Sequence, residues 1–220
     1  MTAPSAGHKL SAEEATIEWF RRHGRVVSIA IVVLAAGAGG YWFYKRSVDI
    51  KNQNAERALN TALQSIQAGN KALATSDLQK VVDRYADTQS GIEAGLLLAQ
   101  LDFNDKKVDE GVKLLNGLTG SSAAKLQLAS VYSLMGDGQM QGDKFADAAK
   151  SYQMAAQASQ SDLDKSFQLS KQARAAFMAG DTATAVAIWQ KLADDPKAQA
   201  VAAEARVRLG EVQAKPATKG

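Results

Sequence analysis

Val131 to Ala156 reads VYSLMGDGQMQGDKFADAAKSYQMAA, and its spacing decides the fold. Apolar residues recur every three or four positions on both sides of Gly142-Asp143, so the stretch reads as two helices joined by a tight turn. The same landmarks return through the chain. A small residue stands at Ala62, Ala99, Gly136 and Ala173, each 37 positions after the last. Twelve residues later come Ala74, Gly111, Ala148 and Ala185, and four beyond those Leu78, Leu115, Tyr152 and Trp189. Three further on stand Val81, Leu118, Ala155 and Leu192. Small residues let two helices cross closely, and a bulky residue one turn on fills the space beside them. Gly and Asp clusters at Ala68-Gly69-Asn70, Asn104-Asp105 and Gly180-Asp181 supply the other turns. A helix pair cannot bury its apolar side alone, so the copies must stack.

Composition agrees with an all-α fold. The 220 residues are 46% apolar but only 6% aromatic, with three prolines and many alanines, leucines, glutamines and lysines. There is no cysteine, which removes disulfides, thiolate nucleophiles and cysteine-ligated metals. The two histidines, His8 and His23, lie near the N-terminus without ligand partners at helical spacing. Net charge is +3, and from Lys45 on there are 22 basic and 20 acidic residues without a basic stripe, so nucleic acid is not an expected partner. Carboxylates such as Asp83, Asp87, Asp194 and Asp195 read as solvated helix-face charge. No convergent nucleophile, base and orienting group can be assembled, so the chain is expected not to be an enzyme, with no cofactor, metal or small-molecule substrate.

Val26 to Tyr44 holds 19 positions without a charge, VVSIAIVVLAAGAGGYWFY. As a helix it reaches roughly 28 Å, about the hydrocarbon thickness of a bilayer. Arg21, Arg22 and Arg25 precede it; Tyr41, Trp42 and Tyr44, then Lys45 and Arg46, close it as an interfacial belt. A cleaved signal peptide fits less well, because the stretch is long and a cationic, aromatic stop follows. Charges within about twenty residues of either end are nearly balanced, and the three arginines lean toward a cytoplasmic N-terminus. Ala35/Gly39 and Ala36/Gly40 have small-xxx-small spacing, with Gly37 between; this is either a surface for packing against another membrane helix or the ordinary composition of such helices. Ser11 and Glu14 form a capping box for an amphipathic helix whose Ile17, Trp19 and Phe20 suit the headgroup region, and Gly24 permits a turn into the membrane.

The helix pairs resemble the tetratricopeptide repeat, a unit usually about 34 residues long. The third copy carries the likeness best through Tyr132, Met135, Gly136, Phe145, Ala148, Tyr152 and Ala155; the first two copies are degenerate, with Gly111 where the other copies have alanine. The expected organisation is an amphipathic helix within residues 1–25, a transmembrane helix at 26–44, a linker or helix extension at 45–54, about four helix pairs and a capping helix within 55–212, and a disordered tail at 213–220. As a whole, Ala12 to Gly24 (AEEATIEWFRRHG) leading directly into one apolar span and then repeats is similar to YfgM-type ancillary subunits of the bacterial Sec translocon. That resemblance implies a single-pass inner-membrane protein with a cytoplasmic N-terminus and periplasmic repeats. It further implies association with the translocon and with a membrane-anchored periplasmic chaperone, passing newly exported chains between them.

By the repeat's usual pattern, the first helix of each pair lines a concave face: Leu59, Leu63, Leu96, Gln100, Phe103, Ser133, Met140, Phe167, Arg174 and Phe177. Such a face suits an apolar or unfolded segment, unless Phe103 and Phe177 belong to the core. An accessory or assembly subunit of another inner-membrane complex would use the same anchor and repeats.

Overall fold

The computed structural model describes residues 12–214, and all regular structure among them is helical. The chain forms two compact units, one up to Ile50 and one from Lys51 on.

The described residues of the first unit form a single helix, part of α1 (Ala12–Gln67). The turn expected at Gly24 is absent. A lone glycine inside a helix costs only about 1 kcal/mol, and the strongly helical flanks carry across it. The Ser28 hydroxyl donates to the Gly24 carbonyl at 2.7 Å, a bond made within the continuing helix. Residues 45–54 are helical too, the helix-extension alternative rather than a linker. The apolar window has a mean hydropathy of 2.0 and none of it is buried. It is long and apolar enough to cross a bilayer. Ser11 of the expected capping box lies outside the described residues.

In the second unit, the last turns of α1 pair with α2 (Lys71–Tyr85). Then follow α3 (Gln89–Asn104) with α4 (Val108–Leu118), α5 (Leu128–Gln141) with α6 (Phe145–Ala158), and α7 (Asp162–Met178) with α8 (Thr182–Asp194). Helix α9 (Gln199–Ala214) closes the stack. Short 3-10 turns at Ser122–Leu126 and Pro196–Ala198 lie between pairs. From α2 on, each helix packs on its chain neighbours, α3 also touches α5, and α7 touches α9, which is solenoid packing. Of the expected tail, 213–214 end α9 and 215–220 lie outside the described residues.

All sixteen repeat landmarks are buried. The turns repeat as closely as the core. Gly69, Lys106, Asp143 and Gly180, each 37 residues apart, take the left-handed conformation at φ 70°, 65°, 57° and 86°. After each, an N–H reaches back five residues to a helix carbonyl: Asn70 to Ser65, Lys107 to Asp102, Lys144 to Gln139 and Asp181 to Ala176, at 2.8 to 3.0 Å. This Schellman arrangement satisfies the carbonyls orphaned at the end of the first helix. Asn70 and Asp181 then cap the second helix by accepting from the N–H of Leu73 and Thr184; Lys107 and Lys144, at the same position, make no side-chain cap.

Phe103 explains the degenerate second copy. Its ring is completely buried, and a Cβ built at Gly111 or Gly138 would fall 2.4 and 2.3 Å from ring carbons. Gly111 stands where the other copies carry alanine because this ring occupies the alanine methyl's place.

Candidate partner-binding face

The first helices place the expected concave residues unequally. Leu59 is 4% exposed and Phe103 fully buried; both are core, and their assignment to a partner groove is corrected. The first two copies are degenerate, and Gly111 of the second and Gly138 of the third open a slot that draws Phe103 inward. Leu63 and Leu96 are half-buried and packed against the same core. Ser133 is buried, Met140 half-buried, and Gln100, Phe167, Arg174 and Phe177 are exposed. The Phe177 ring still rests on Trp189, with centroids 5.6 Å apart.

Gln100, Met140 and Arg174 come together in one cleft, joined by Asp137, Tyr152 and Lys171. Arg174 and Phe177 form the wall of a second cleft with Met178, Trp189, Arg208, Glu211 and Val212. Leu59, Leu63, Leu96 and Phe167 line neither. A third cleft, near Ser133, is lined by Leu126, Ser130, Leu134 and Gln168.

A polar hub unforeseen from the sequence sits in the first cleft. The Tyr152 hydroxyl donates to Asp137 at 2.6 Å, and the Lys171 ammonium donates to both Asp137 oxygens at 2.9 and 3.1 Å. Lys171 also reaches the Ser133 hydroxyl at 3.3 Å and lies 5.4 Å from the Tyr152 ring centre. Burial pushes the Tyr152 phenol well above its ordinary range, and the bond to Asp137 pushes it further, so it remains a donor. The hub ties two neighbouring first helices, α5 and α7. One sequence signal marks it: Asp137 and Lys171 are 34 residues apart, and Lys51–Asp87, Lys71–Asp105, Asp109–Lys144 and Asp162–Lys197 pair across similar intervals.

On the first unit, Trp19, Arg21, Arg22, Tyr41, Trp42 and Tyr44 are exposed; the Phe20 side chain lies outside the described residues. The Trp19 ring stacks on His23 with centroids 5.1 Å apart. Ala36, Gly37, Gly39 and Gly40 are exposed, and a Cβ at any of the three glycines would meet nothing within 4 Å. Among the described residues no three His, Asp or Glu side chains gather as metal ligands.

Stacked helix pairs with a common left-handed turn define a helical-repeat protein of the kind that binds other proteins. The chain belongs to the tetratricopeptide repeat-like domain family, whose pattern matches residues 18–132 and again 56–171, two registers about one repeat apart. No curated protein matches the chain.

Proposed function

We propose that the chain is a membrane-anchored interaction scaffold serving protein export, an ancillary subunit of the Sec translocon. Its span fixes it in the inner membrane with the N-terminus cytoplasmic, and its periplasmic repeats link emerging chains to a membrane-anchored chaperone. The observation that carries the scaffold reading is the side of one first helix, α7, on which Phe167, Phe177 and Met178 stay exposed while every repeat landmark is buried. The wholly unburied apolar window supports the anchor. The Ala12–Gly24 lead into the span supports the translocon in particular.

Purification of the tagged chain in mild detergent with quantitative mass spectrometry tests this. Recovery of translocon subunits and a periplasmic chaperone is expected. Stoichiometric recovery of a different inner-membrane complex, without the translocon, would replace the export role by that of an accessory subunit there.

A further inference from the structure

We infer that the exposed side of α7 receives an apolar polypeptide segment bearing a carboxylate, and that Arg174 selects for that carboxylate. The inference rests on the protein-binding reading above and specifies the partner's chemistry.

Leu163, Phe167, Arg174, Phe177 and Met178 follow one another at intervals that keep them within about 100° of the helix circumference. The four apolar members are 50%, 45%, 38% and 46% exposed, while Ser166, Gln172, Ala173 and Ala176 of the same helix are buried. From Leu163 to Phe177 the stripe runs roughly 21 Å, the span of about six residues of extended chain. Ser170, inside the same arc, donates to Glu204 of α9 at 3.3 Å and Phe177 rests on Trp189, yet the four apolar members keep the exposure given above.

Charge identifies the occupant. Three basic side chains line the two clefts beside the stripe. Lys171 is held by Asp137, and Arg208 by Glu211 at 2.9 Å and Glu204 at 3.9 Å. Arg174 has no ion pair or hydrogen bond among the described residues, yet it forms the wall common to both clefts. Asp137 does not answer it, being engaged by Lys171 and Tyr152. A planar guanidinium between aromatic neighbours is suited to a carboxylate, held through two parallel hydrogen bonds. A basic segment would meet Arg174 unopposed and be rejected.

The test uses the full chain in detergent micelles and two 12-residue peptides with a neutral fluorophore. Both alternate leucine and serine; one has a central glutamate and its twin a glutamine. Fluorescence anisotropy should show the glutamate peptide binding about fivefold more tightly. R174Q should erase that preference, and F167S should weaken both peptides, with the circular dichroism of each variant unchanged. Partition into micelles does not depend on Arg174 and cancels in the comparison. Equal binding of the twins, or a preference that survives R174Q, overturns the inference. So does a light-scattering dimer that F167S converts to monomer, because a second copy would then cover the face. Failure of both peptides to bind also overturns it and leaves the export role standing, since co-purification tests that separately.

Discussion

Alanine at Gly138 should be harmful only while Phe103 is present. An alanine in place of glycine inside a helix gains about 1 kcal/mol. Here the new methyl would lie 2.3 to 2.5 Å from three carbons of a ring that is fully buried and has nowhere to move. Overpacking of this kind costs about 1–3 kcal/mol, and a clash with an immobile aromatic belongs at the upper end. Gly138→Ala alone should therefore destabilise by about 2 kcal/mol. Phe103→Leu alone should cost about 1–2 kcal/mol through lost packing. In the double variant the shorter leucine vacates the space, the methyl fills part of it, and the helix gain returns. The two changes should then couple by about 2–3 kcal/mol, with the double variant close in stability to Phe103→Leu alone. Urea unfolding of the full chain in mild detergent, followed by circular dichroism at 222 nm, measures all four corners of the cycle. Additivity within about 0.5 kcal/mol would refute the slot and with it the explanation for the glycine at position 111.

The turn positions give a second set of outcomes. Lys106→Gly and Asp143→Gly should each stabilise by about 0.5–1 kcal/mol by relieving a left-handed backbone, less at Asp143 because aspartate tolerates that region, whereas Gly180→Ala should cost about 1 kcal/mol in thermal melts. Lys171→Ala removes a half-exposed pair and should cost at most about 1 kcal/mol, a difference that shrinks in 1 M salt. A larger, salt-independent loss would mean the hub acts through packing. Two carboxyls are held below their ordinary 3.8, Asp87 by the hydrogen bond from Lys51 and Asp181 by those from Thr184. Their contribution is therefore present above pH 3.8 and lost as pH falls through the lowered values. Asp181→Asn should flatten the stability-against-pH curve below that point, and an unchanged acid slope would contradict the cap.

The solenoid was legible because its determinants are local and periodic. A small residue and its bulky neighbour lie within one helix pair, so burial at Ala62, Leu78, Tyr152 and Trp189 follows from spacing alone. The four turns were visible as Gly and Asp clusters, although nothing in their composition shows that Lys106 would take the left-handed position. The face was legible in part. Phe167, Arg174 and Phe177 are exposed, as their register required, but Phe103 occupies the equivalent of the Phe177 position and is buried. What separates them is Gly111 and Gly138, whose missing side chains act through space across three helices. The Asp137–Lys171–Tyr152 hub is not legible for a related reason: spacing marks Tyr152 only as a bulky core position, Asp137 and Lys171 read as ordinary helix-face charge, and only stacking brings the three within hydrogen-bond reach. Continuity of α1 through Gly24 shows that a single glycine, without a second breaker beside it, does not set a helix boundary.

The absence of cysteine allows the most direct measurement on the anchored scaffold. Single variants Leu34→Cys, in the middle of the apolar window, and Lys150→Cys, on an exposed position of α6, would be treated in native membrane fragments with a membrane-impermeant maleimide. The cysteine at position 150 should label at once, and the one at position 34 only after detergent dissolves the bilayer. Equal labelling of both in intact fragments would show that the apolar helix does not lie in the membrane.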